Sequence, residues 1–157
     1  MKTRMILFKE LVDNISNLYS LYSSIFSDDR NFWKSLSIKK MNDRALIETA
    51  SNYFAKECLE CSDLFTISEE TILTELFTVQ NALDSCSLKT ITQKEALEFS
   101  YTIETSEVLE HFSTFLSAKT KTKIDRLLKK LLDNHGDYKK EILNYAKSKN
   151  VIITEVS

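Results

Sequence analysis

Lys40 and Asp43 stand three residues apart on a line of helix-spaced apolar positions, Leu36, Ile47, Ala50 and Phe54. A core-facing line has no ordinary use for an ammonium and a carboxylate, because a buried charge is unfavourable unless paired. The oddity recurs in two other segments. Glu104 falls among Leu97, Tyr101, Val108, Phe112 and Phe115, and His135 and Tyr138, again three apart, fall among Ile124, Leu128, Leu131, Ile142 and Tyr145. Two carboxylates, an imidazole, an ammonium and a phenol can hold a metal or knit a buried hydrogen-bonded cluster. The spacing leaves two orientations open for Lys40 and Asp43. They point inward, with Lys40 bridging carboxylates and Tyr138 completing the hydrogen bonds, or the helix is rotated so that both snorkel out to water.

Other residues carry weaker chemical signals. Cys58 and Cys61 form a lone Cys-x-x-Cys, half of a tetrathiolate zinc or iron shell, and Cys86 offers no second pair to close it. Three cysteines make no even disulfide framework and suit a reducing compartment. Glu107 and His111 lie close to Glu104 along the chain and could form a displaced mononuclear metal site with it. The run "KTKTKIDRLLKK", 119–130, is a basic helical face, either a solvated surface or a dock for anionic lipid or polyanions.

The scaffold for these residues follows from what the chain lacks. Its 157 residues include no proline and one glycine, Gly136, so long uninterrupted helices are expected. The length suits one domain, 1–150, with a short tail, 151–157, that frays or lies over the surface. Apolar spacings of three and four predict helices over about 3–26, 29–60, 67–85, 92–116 and 121–148. Ser27 or Asp28 reads as an N-cap, and Thr66-x-x-Glu69 and Thr92-x-x-Glu95 read as capping boxes. Gly136 falls in the middle of the last predicted helix, and Trp33, Leu36, Val108, Leu128 and Leu131 are expected in the core. Two hairpins of long helices, joined by a crossover with a small helix, give an all-α four-helix bundle with one long connection.

A formal charge of −2, evenly spread, points away from nucleic acid. No stretch approaches the roughly 20 apolar residues of a membrane span, and the apolar run in "MKTRMILFKELVDN" is too short for a secretory signal. A cytoplasmic protein is expected.

The central polar residues, set in this order of helices, resemble the ferritin-like, rubrerythrin-type di-iron family. "NLYSLYSSIFSDDRNFWKSLSIKKMNDRALI" is similar to its first hairpin, "EALEFSYTIETSEVLEHF" to its third bundle helix and "LLDNHGDYKKEIL" to its fourth. In that family a Glu from each of two helices and a Glu-x-x-His from each of the other two hold the metals. Carried onto this chain, the first Glu falls near Val12, and the second-helix pair falls on Lys40 and Asp43. Glu104 is kept, and the fourth-helix pair falls on His135 and Tyr138. The resemblance therefore implies a ferritin-like bundle whose di-iron site is replaced by a polar cluster of Lys40, Asp43, Glu104, His135 and Tyr138. A non-catalytic assembly or partner-binding protein without cofactor, and a homodimer, are the expectation. The alternative is a mononuclear or atypical iron or manganese site on Asp43, Glu104 and His135, acting on peroxide or oxygen; an ammonium beside a dication argues against it.

Overall fold

Helix α1, Lys2–Ile25, turns one apolar face inward through Phe8, Leu11, Val12, Ile15, Leu18, Tyr19 and Tyr22. In the computed structural model, which describes residues 2–57, 67–88, 90–111 and 137–154, all of these are essentially free of solvent. A 3-10 turn, Ser27–Asp29, reverses the chain directly into α2, Arg30–Glu57. Ser27 and Asp28 thus lie within that turn, and Asp29 directs its carboxylate into the interior. Trp33 and Leu36 begin the buried stripe of α2, and the two helices lie antiparallel in close contact. Small residues allow the approach: the Ser16 hydroxyl donates to the Ser37 carbonyl at 3.0 Å, and the Ser37 hydroxyl to the Ser16 carbonyl at 2.9 Å.

Helix α3, Glu69–Leu88, also packs on α1, with Ile72 and Val79 buried. Thr66 of the expected Thr66-x-x-Glu69 box lies outside the described residues. Glu69 is already the first helical residue, and the Ser68 hydroxyl accepts from the Thr71 amide at 3.1 Å. By contrast the Thr92–Glu95 box is complete at the start of α4, Gln93–Glu104: the Glu95 amide donates to the Thr92 hydroxyl and the Thr92 amide to the Glu95 carboxylate.

One helix expected to be continuous is interrupted, and among the described residues another begins later than its periodicity predicts. The segment expected over 92–116 stops at Glu104, bends through Thr105 and Ser106 and resumes over 107–111. The Thr105 hydroxyl turns back onto the Tyr101 carbonyl, and Ser106 accepts from the Leu109 amide, so the pair ends one helix and caps the next. The segment expected over 121–148 contains a helix start: α5 is Tyr138–Ser148, capped by the Asp137 side chain on the Lys140 amide. Asp137 itself is non-helical, as the N-cap of α5, and Gly136 lies outside the described residues.

Helix α5 packs on α4 and closes with Asn150 in the left-handed conformation (φ 56°). The Val151 amide returns to the Ala146 carbonyl and the Asn150 amide to the Lys147 carbonyl. Val151 and Ile153 then lie against the core. Among the described residues all regular structure is helical, with no strand, and no helix is long and apolar enough to cross a membrane. Trp33, Leu36 and Val108 are buried as expected. Leu128, Leu131, His135, Cys58, Cys61 and the basic run 119–130 lie outside the described residues.

Candidate functional site

Lys40 points inward. One turn beyond the Ser16–Ser37 contact, its side chain is 3% exposed and its ammonium donates to Glu104 Oε2 at 2.8 Å. The Glu104 side chain is as deeply buried, and its second oxygen, Oε1, accepts the Tyr19 hydroxyl at 2.6 Å. Asp43, one turn along α2, is buried too and accepts the Tyr138 hydroxyl on Oδ2 at 2.9 Å. The Tyr138 ring links the two halves, because the Lys40 ammonium lies 3.8 Å from its centroid. Four of the five residues singled out from the sequence thus meet in one centre, built from α2, α4 and α5; His135 lies outside the described residues.

Local structure explains why each arrives there. Lys40 and Asp43 share the buried stripe of α2 with Leu36, Leu46 and Ile47. Glu104 is the last residue of α4, at the negative end of the helix dipole, where a carboxylate is disfavoured. The Lys40 ammonium offsets that and the loss of water together. Tyr138 opens α5, so its position depends on the Asp137 cap.

Tyr19 is the residue that sequence reasoning missed. It sits four residues after Ile15 and three before Tyr22, on the buried face of α1, and its polar tip was the available signal. Its neighbour in space is Trp33, with ring centroids 5.7 Å apart, and Trp33 in turn packs edge-on against Tyr22 and Phe32. Val12, where the family pattern would require a carboxylate, is buried among apolar residues.

Both hydroxyls of the centre stay protonated. Burial, then the charge of Glu104, holds Tyr19 well above the ordinary tyrosine value of 10.0. Burial, then the charges of Asp43 and Glu104, does the same for Tyr138. Each is therefore a donor to a carboxylate, which lets Lys40, Asp43 and Glu104, summing to a formal −1 (+1 −1 −1), reside away from water.

The other candidates do not assemble. Glu107 is exposed and His111 half-buried beyond the Thr105–Ser106 bend, so neither continues the helical face of Glu104. Among the described residues no group of three His, Cys, Asp or Glu side chains is arranged to hold a metal ion. Cys86 is half-buried, and burial pushes its thiol up, away from the reactive thiolate.

A third buried carboxylate, unremarked in the sequence, lies at the hairpin end. Asp29 accepts Tyr145 Oη at 2.5 Å and Gln93 Nε2 at 2.7 Å, with Lys149 Nζ at 3.7 Å. The Tyr145 ring stacks on Phe32, centroids 3.8 Å apart. This cluster ties the turn to the start of α4 and the end of α5.

Compared with known proteins, the chain matches no family model, no curated protein and no solved structure.

Proposed function

We propose that the chain is a ferritin-like helical bundle whose di-iron site has given way to a lysine-centred polar cluster. On this reading it is a cytoplasmic, homo-oligomeric, non-catalytic protein that serves assembly or partner binding. The observation that carries the reading is the Lys40 ammonium, buried against Glu104 and over the Tyr138 ring. A cation on a flexible stem supplies charge where carboxylates converge, without the open coordination positions that oxygen chemistry needs.

The residue set does not fit a pair of metal ions. Val12 has no donor atom, Lys40 repels a dication, and the Asp43 and Glu104 carboxylates already accept hydrogen bonds from tyrosines. Three thiols without an even framework support the reducing location.

Metal analysis tests the proposal. Untagged protein purified from iron- and manganese-supplemented cells is expected to hold far less than one metal per chain, and to oxidise ferrous iron no faster than buffer. Stoichiometric metal that disappears in Glu104→Ala would replace this reading with the metalloprotein one.

A further inference from the structure

Unpartnered charges and large exposed apolar side chains on either side of α1 follow a simple order. Contacts fix the heights. Ser16 meets Ser37, Asp13 pairs with Arg44 and Lys9 with Glu48, so α2 runs antiparallel to α1. Arg4 donates to the Ile67 carbonyl and Asn14 to Gln80, so α3 runs parallel to it.

Beside the N-terminal half of α1, a groove of about 870 Å³ is lined by Glu10, Glu69 and Glu70, then by Leu73 and Phe77. Beside its C-terminal half, a second groove of about 430 Å³ is lined by Arg30, Lys34 and Ile38 with serines of α1. In height along α1, Leu73 and Phe77 on the α3 side and Met41 and Ile38 on the α2 side fall between the two charged ends, exposed by 48, 67, 60 and 50%, with α1 lying between the two pairs. Arg30, Lys34, Ile38 and Met41 follow one another at spacings of four, four and three, so they form one outward stripe of α2. Glu10, Glu69, Glu70, Arg30 and Lys34 have no ion-pair partner among the described residues, whereas other surface charges, such as Arg44 and Lys139, do.

From these observations we infer that this surface is a docking site for a second copy of the chain. Its order is acidic, apolar, basic. A twofold axis through the apolar middle, perpendicular to the line joining the charged ends, sets each acidic end against the partner's basic end and apolar against apolar. An unrelated basic partner would satisfy the acidic end alone, while a second copy satisfies both. The inference rests on the assembly reading above and supplies its surface.

Sedimentation velocity over a range of protein and salt concentrations tests it, with circular dichroism confirming that each variant is folded. Wild type is expected to be a dimer that weakens as salt rises. Reversing the acidic end (Glu69→Lys with Glu70→Lys) or the basic end (Arg30→Glu with Lys34→Glu) should each raise the dimer Kd by about tenfold or more. Mixing the two reversed proteins should restore dimers, now heterodimers, and Phe77→Ser should weaken wild-type association without changing its salt dependence. A dimer indifferent to both reversals overturns this surface and leaves the assembly reading standing. A monomer at every concentration, or a ladder beyond the dimer, overturns the inference.

Discussion

Removing the Lys40 cation leaves Glu104 buried at a helix C-terminus with a tyrosine hydroxyl as its remaining hydrogen-bond partner. Breaking one side of a buried pair typically costs about 3–5 kcal/mol, so Lys40→Ala is expected to lower the urea midpoint by that equivalent. Lys40→Met keeps the stem packing and should be milder. Lys40→Met with Glu104→Gln should recover part of the loss, which a double-mutant cycle at neutral pH reads directly. Unfolding of Lys40→Ala at the wild-type midpoint would contradict the pairing. Ser100 offers the opposite case. One turn before Glu104 on α4, its hydroxyl is fully buried and finds no acceptor or donor among the described residues. Ser100→Ala is therefore expected to be neutral or to stabilise by up to about 1 kcal/mol, because it removes an unsatisfied polar group without opening a cavity.

At the scale of elements, the Asp29 cluster decides how the hairpin turn is joined to α4 and α5. Asp29→Ala takes the acceptor from Tyr145 and Gln93 and the counter-charge from Lys149. Hydrogen bonds to a charged group are worth about 1.5–3 kcal/mol, and a loss of that order is expected. Because the lost contacts converge on α5, amide exchange should rise first over Tyr138–Ser148, while the α1–α2 pair stays protected. A uniform rise across all helices would show that Asp29 acts on global stability alone. Tyr145→Phe keeps the stack on Phe32 and should reproduce only part of the effect.

For the whole molecule, tyrosine burial couples stability to alkaline pH. Tyr19, Tyr22, Tyr138 and Tyr145 are all held above 10.0 in the folded chain, chiefly by burial, with Glu104 adding to it at Tyr19, Asp43 and Glu104 at Tyr138, and Asp29 at Tyr145. A raised folded pKa means that the native state holds the proton more tightly. Its contribution is therefore fully present below pH 10.0 and is lost as pH rises through and beyond that value. Of the six tyrosines, these four should ionise together with unfolding, so tyrosinate absorbance and helix loss by circular dichroism should rise and fall in one cooperative step. Gradual ionisation of all six in a folded protein would contradict the burial of the centre.

The all-α class was legible in a chain with one glycine and no proline, and the stripe of α2 was legible because charges at Lys40 and Asp43 stood out against apolar spacing. Helix ends were legible where a reciprocal signal existed, as at Thr92 and Glu95. They were not legible at Thr105–Ser106 or Asp137, where hydroxyls and a carboxylate compete locally with the helix while the periodicity runs on unbroken. Periodicity assigns a residue to a face and carries no information on which side chain answers it from another helix. That Lys40 turns inward, that Glu104 is its partner, and that Tyr19 rather than an acidic residue completes the site from α1 are consequences of how α1, α2, α4 and α5 pack. The physical reason is that pairing in the interior is set by distances of about 3 Å between groups 64 and 85 residues apart, which tertiary packing alone brings together.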